Sequence, residues 1–315
     1  MNNDTLVLAH YYTTPDIQKL ADYVGDSLEL SLIAQREQAK RVVFLSVRFM
    51  AETAKILSPN SQVVIPTLKA SCSLVEQTDI NRLRHWREKY SNAVHVSYIN
   101  SSAEHKSLSD WIVTSRNVDD IVGDLIKDGK DVIFSPDRNM GAYLNYAYGY
   151  NMKLWSAVCE VHDQFNIDKL NDEWNKWTDG PKYLLAHPES PLSVLKRAVE
   201  LSSTGTGLIG STSVMLKWIK NFQHTVGTIY VATEDGLLYN MRQLRPELDI
   251  RQAPIYSGCK CNVCPFMRMN TYQLAVDTIN GTAGQEIDYL TDSQLIQAKV
   301  PLDRMLEYSK RKYGA

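Results

Sequence analysis

Eight short apolar runs recur along this chain, at residues 6–9, 42–45, 63–65, 94–96, 132–134, 183–186, 207–209 and 229–232. Each is three or four residues long and most are rich in Val, Ile and Leu, without the polar alternation that would leave one face to water. Such runs suit strands buried on both sides, hence parallel sheets, and parallel strands need crossover helices between them. The intervening stretches supply those helices. Behind Pro15, the stretch 16–23 places Ile17, Leu20 and Ala21 at helical spacing, which predicts a helix there. The stretches 51–57, 79–89, 191–201, 214–222 and 301–312 read the same way. Eight strand–loop–helix cycles are too many for one sheet in 315 residues. Turn formers gather at 71–78 and 166–181, so the chain reads as two or three small α/β units.

Composition narrows the class without naming a function. Hydrophobic residues make up 44% and charged residues 22%, which excludes a disordered or low-complexity chain. Lys and Arg number 34 against 36 Asp and Glu, so there is no electrostatic footprint for a nucleic acid. No apolar run approaches the ~20 residues that span a bilayer. The start Met1-Asn2-Asn3-Asp4 has neither the basic nor the long apolar region of a secretory signal. The expectation is a cytoplasmic protein with no membrane partner, whose five cysteines stay reduced.

In open α/β sheets ligands bind beyond the carboxyl ends of the strands. Those ends carry His10-Tyr11-Tyr12, Ser97-Tyr98-Ile99-Asn100, Thr114-Ser115-Arg116-Asn117, His187-Pro188-Glu189, Gly210-Ser211-Thr212-Ser213 and Thr233-Glu234. Any one of these is as well read as a turn or a helix cap. Together they offer hydroxyls, amides, imidazoles and carboxylates to a small, oxygen-rich ligand. The Ser- and Gly-rich stretch 201–207 lacks the Lys and spacing of a phosphate-binding loop and reads as a plain linker. Cys259, Cys261 and Cys264 form a Cys-x-Cys-x-x-Cys-Pro loop, which suits zinc or an iron–sulfur cluster. Cys72 and Cys159 stand alone, each in a polar loop after an apolar segment instead of on a face that would bury a small hydrophobe.

Read in order, the motifs resemble quinolinate synthases over nearly the whole chain, from about Leu6 to Met305. They are His10-Tyr11-Tyr12, Ala21-Asp22-Tyr23-Val24-Gly25-Asp26-Ser27, Phe49-Met50-Ala51-Glu52-Thr53, Cys72-Ser73-Leu74 and Tyr98-Ile99-Asn100. Thr114-Ser115-Arg116-Asn117, Pro136-Asp137-Arg138-Asn139-Met140-Gly141, Cys159-Glu160-Val161-His162, His187-Pro188-Glu189, Gly210-Ser211-Thr212-Ser213 and Cys264-Pro265-Phe266-Met267 follow.

The resemblance implies three similar αβα domains with parallel sheets, arranged with pseudo-threefold symmetry around a central [4Fe-4S] cluster. The expected segments are 1–75 with 268–315, 76–165, and 166–267. It implies three cysteine ligands, here Cys72, Cys159 and Cys264, and one open iron acting as a Lewis acid. The family condenses iminoaspartate with dihydroxyacetone phosphate, releasing phosphate and water, to form quinolinate for NAD biosynthesis. An iminoaspartate-producing enzyme, L-aspartate oxidase or aspartate dehydrogenase, is the implied partner.

By position, His10, Ser27, Tyr98, Asn100, Ser115, His187, Glu189 and Thr212 resemble the family's substrate-binding groups. Tyr12 and Glu189 resemble its acid–base pair, with His162 beside the cluster as a catalytic group or as a donor to a cluster sulfur. The chain departs from the family pattern at Arg48, where His is common, and at Ala157, where Gly is usual. It also carries extra residues in the 202–207 loop, and Cys259 and Cys261 are accessory to the ligand set. Two other readings remain: an iron–sulfur sensor of the same fold without turnover, and a zinc protein using Cys259, Cys261, Cys264 and His162.

Overall fold

The computed structural model describes residues 5–176, 180–256 and 262–314. The first strands along the chain are β1 (Thr5–His10), β2 (Tyr23–Gly25), β3 (Arg41–Leu45), β4 (Gln62–Ile65), β5 (Val94–Tyr98), β6 (Trp111–Val113) and β7 (Val132–Ser135). They continue with β8 (Lys153–Leu154), β9 (Lys182–Ala186), β10 (Gly207–Ile209), β11 (Thr228–Ala232), β12 (Asp249–Gln252) and β13 (Gln285–Glu286). All eight apolar runs lie in strands. The protein is α/β, with three sheets in the orders β13-β4-β3-β1-β2, β6-β5-β7-β8 and β10-β9-β11-β12. Among the described residues, every strand pairing is parallel except β13 against β4. The strands of each sheet fall within one of the three expected segments.

One compact unit comprises Met1–Asp137, Met152–Ala157 and Pro265–Ala315 and holds two of the sheets. In its first sheet, Val7 and Ala9 of β1 and Val43 and Leu45 of β3 form a core with Ile17 and Ala275. The central strands are buried almost end to end, as the apolar runs require. The second sheet has a polar interior. The side chains of His95, His105, Ser97 and Ser135 meet there at 2.7–3.2 Å, all fully or almost fully buried. The C-terminal helix Asp292–Tyr313 packs on β6 and on the helix Ala103–Ser107. Its buried residues Ala298, Leu302, Met305, Leu306 and Ser309 form a stripe at helical spacing. Asn117 donates to the Ser309 hydroxyl at 3.0 Å, and Arg304 donates to the Asp110 carbonyl at 2.6 Å.

The other unit comprises Arg138–Asn151 and Val158–Cys264 and is built on the third sheet. The helices Leu192–Ser202, Thr212–Asn221 and Asp235–Leu244 follow β9, β10 and β11 in turn. The helix Arg138–Tyr148 packs on Leu192–Ser202 in this unit.

Several elements differ from their sequence reading. The helix expected at 16–23 spans only Pro15–Gln18, because Tyr23–Gly25 pairs with the open edge of β1. The helix expected at 301–312 starts at Asp292 and runs through Pro301, whose missing N–H is outweighed by the buried stripe. The two stretches of turn formers contain the helices Ser73–Glu76 and Ile167–Lys176, and Asn166 accepts from the Lys169 amide at the start of the second. Among the described residues, no helix is long and apolar enough to cross a membrane.

Candidate active site

The unit built on the third sheet brings four expected site residues together: Cys159, His162, His187 and Glu189. Strand β9 delivers His187 and Glu189 just past its carboxyl end, where the His187 amide donates to the Ala232 carbonyl at 3.1 Å. The turn after Cys159 is closed by the Asp163 amide on the Cys159 carbonyl at 2.9 Å and presents His162. Nδ1 of His162 lies 2.6 Å from Oε2 of Glu189 and 3.2 Å from Sγ of Cys159. Its Nε2 meets the Thr233 hydroxyl at 3.1 Å. The ring stacks on His187 with centroids 4.6 Å apart, and Nδ1 of His187 stands 3.5 Å from the same Glu189 oxygen. His162, Glu189 and His187 are 1%, 2% and 3% exposed, so these contacts are made in a nearly dry setting. Asn139 holds the turn and the strand end in place by donating to Asp163 at 2.8 Å and to the Glu189 carbonyl at 3.1 Å.

Chemistry sets the tautomer. An ionised carboxylate only accepts, so Nδ1 of His162 donates to Glu189, while Nε2 faces the Thr233 hydroxyl. One donor atom each from Cys159, His162 and Glu189 lies within 4.8 Å of the others, a set able to hold a metal ion. Thr212, nearly fully buried, opens the helix Thr212–Asn221 behind the cap Ser211. A helix N-terminus of this kind favours an anionic group.

His10, Tyr12, Ser27, Tyr98, Asn100, Ser115 and Cys72 lie in the unit with two sheets, and Cys264 is the last residue of the unit built on the third sheet. His10 ends β1, and the Tyr12 amide donates to its Nδ1 at 3.1 Å, which leaves Nε2 as the proton-bearing nitrogen of the neutral ring. The two rings meet edge to face at 4.5 Å. Ser27 is the first residue of the helix Ser27–Glu37, behind the Asp26–Glu29 capping box. Burial, reinforced by the charge of Asp26, raises the Glu29 carboxyl above its ordinary range. Tyr98 is the buried last residue of β5, Asn100 follows two residues on, and Ser115 lies in the turn after β6. Cys72 caps the helix Ser73–Glu76 through its carbonyl, which accepts from the Val75 and Glu76 amides. Cys72, Cys159 and Cys264 are each partly exposed. Cys259 and Cys261 lie outside the described residues.

Two departures from the family pattern have a visible place. The Arg48 amide donates to the Ala70 carbonyl at 2.7 Å, and its guanidinium lies 3.7 Å from Glu76, so Arg48 ties both flanks of the Cys72 turn. Ala157 is buried and bridges Asp137 in parallel.

Sequence reading missed Lys106. Its ammonium is fully buried and donates to the Ile99 carbonyl at 2.9 Å and to the Ser101 carbonyl, one on each side of Asn100. Burial pushes its pKa down to about 7, opposed by Glu52 and Cys72. A lysine in a stretch as polar as Ser102-Ala103-Glu104-His105-Lys106 gives no sign in sequence that it points inward.

Comparison with known proteins bears on the same residues. The family model described as Quinolinate synthetase A protein matches residues 1–307. A quinolinate synthase of Chloroherpeton thalassium is 42% identical over 309 residues, covering 98% of this chain and 91% of the relative. Those of Cyanophora paradoxa and Nostoc punctiforme are 38% and 39% identical, each covering 97% of this chain and 88% and 90% of the relatives. Likeness at this level from one end of the chain to the other places the protein in the quinolinate synthase family.

Proposed function

We propose that the protein is a quinolinate synthase that condenses iminoaspartate with dihydroxyacetone phosphate, releasing phosphate and water, within NAD biosynthesis. The observation that carries this reading is the meeting of Cys159, His162 and Glu189 in one buried cluster. Three residues carried over separately from family motifs converge on one spot, as a retained active site requires. An iminoaspartate-producing enzyme, L-aspartate oxidase or aspartate dehydrogenase, is the proposed upstream partner.

Cys72, Cys159 and Cys264 are proposed to hold a [4Fe-4S] cluster with one open iron. Their chemistry fits: all three are partly exposed and thiolate-forming. Bound there, the cluster supplies a Lewis-acid iron for substrate oxygen or nitrogen. The three sheets, one in each expected segment, support reading the chain as three αβα domains.

The remaining steps fall to side chains. Glu189, dry and held by His162, takes a proton from substrate carbon at its carboxylate and returns it to a departing hydroxyl. Thr233 and Glu189 clamp His162 from both nitrogens, so the ring keeps one orientation through the cycle. Tyr12 is the second proton donor, set by its edge-to-face packing on His10. His10 and His187 hold substrate carboxylate or phosphate oxygens. Ser27 and Thr212 do so from helix N-termini, and Tyr98, Asn100 and Ser115 complete the polar lining. Anaerobic turnover with dihydroxyacetone phosphate and freshly generated iminoaspartate tests the reading. Quinolinate is the expected product, and a cluster-loaded protein that forms none would sink it.

A further inference from the structure

Two chain segments that carry proposed ligand thiols are tied to a single strand end by buried polar groups. Past β11 come Thr233 and Glu234, both fully buried. Thr233 holds Nε2 of His162, three residues after Cys159. Glu234 divides its carboxylate. Oε2 accepts from the Gly236 amide at 2.5 Å, capping the helix Asp235–Leu244, and Oε1 accepts from the Cys264 amide at 3.2 Å. Asn262, two residues before Cys264, completes the tie. Its side-chain amide donates to the Val161 carbonyl at 2.6 Å, and its own carbonyl accepts from the Asp235 amide at 3.0 Å. Gln252 locks the frame by accepting from the Asn262 amide at 2.8 Å and donating to the Thr233 carbonyl at 3.0 Å.

Capping a helix does not require this arrangement. One oxygen of a short side chain caps a helix, and Ser, Thr, Asp or Asn is the usual choice. A fully buried glutamate is costly unless each oxygen is satisfied. Here the second oxygen is satisfied by the backbone amide of a cysteine, outside the helix that the first oxygen caps. Asn262 adds a direct link from the Cys264 segment to the Cys159–His162 turn. A cluster tolerates little drift in ligand spacing, and groups that orient its ligands govern how firmly it is held.

We propose that Glu234 and Asn262 are positioning residues that set the presentation of Cys264 and of the Cys159 turn to the cluster. The inference rests on the reading of Cys159 and Cys264 as ligands. Glu234→Gln keeps the volume but replaces one acceptor with a donor, so one of the two amides loses its partner. Asn262→Asp keeps the shape and cannot donate to the Val161 carbonyl.

The test is the anaerobic rate of iron release from the reconstituted full-length protein to a ferrous chelator. The low-temperature electron paramagnetic resonance spectrum of the reduced cluster is recorded alongside. Each variant is expected to release iron about 10- to 100-fold faster than the parent and to show an altered spectrum. Asp79→Ala removes the cap of the helix Ile80–Lys89 in the other unit and should lower the melting temperature without changing release. If Glu234→Gln folds poorly, Asn262→Asp alone decides. Parental release rates and spectra in the folded variants overturn the inference and leave the ligand reading standing. A parent protein that assembles no cluster overturns both.

Discussion

Oε2 of Glu189 stands 2.6 Å from Nδ1 of His162 and 3.5 Å from Nδ1 of His187, so one carboxylate oxygen faces two stacked imidazoles. Glu189→Gln keeps the packing and removes the proton acceptor, and it should lower turnover about 10²–10⁴-fold. Tyr12→Phe removes only a hydroxyl and should cost turnover in the same range. Both variants should take up iron and sulfide like the parent. Parental turnover in either would assign that residue to structure.

The proposed ligand set separates cleanly by substitution. Cys72→Ser, Cys159→Ser and Cys264→Ser should each lose a stable cluster, because a hydroxyl is a poor substitute for a thiolate at iron. Cys259→Ser and Cys261→Ser should retain it. Iron and sulfide analysis after anaerobic purification reads the result. Loss of the cluster in Cys259→Ser with retention in Cys264→Ser would move the third ligand.

Acid should weaken the second sheet through its buried imidazoles. Burial pushes the pKa of His95 down to about 4, with Arg87 adding to the shift and the Leu108 carbonyl and Asp110 opposing it. His105 is pushed well below its ordinary value by burial, His95 and Lys106. In the unfolded chain these groups titrate near ~6.5. The neutral pair therefore contributes stability that is fully present above that value and is lost as pH falls toward the folded pKa. His95→Gln should flatten the fall by up to ~1.4 kcal/mol per pH unit in urea unfolding between about pH 6.5 and pH 4.5. An unchanged slope would mean that the ring is protonated in the folded state.

The stretch 201–207 is tighter than a linker at one position. A Cβ on Gly207 would sit 2.2 Å from the Ala198 carbonyl oxygen and 2.7 Å from the Ser202 nitrogen. Gly207→Ala should cost about 1–3 kcal/mol or more, read as a drop in melting temperature. Gly205, at φ +74° with open space around it, should cost only about 1 kcal/mol as Gly205→Ala. Equal losses at the two positions would contradict the close packing at Gly207.

The chain by itself determined its class and its chemistry. Central strands such as β3 and β9 are buried on both faces, so their side chains must be apolar and declare themselves. The strands that went unread, β2, β6, β8, β12 and β13, are all edges of their sheets. An edge is short and partly wet, and pairing with a neighbour makes it a strand more than its own composition does. Candidate site residues could be named because Cys, His, Glu and Tyr after a strand are conspicuous in any sequence. Which of them touch was decided only by tertiary structure: the Glu189–His162 contact joins residues 27 positions apart, and Asn262 reaches Val161 across 101. Lys106, Glu234 and Asn262 owe their roles to burial, which turns an ordinary surface-type side chain into one whose every hydrogen bond must be satisfied inside the fold.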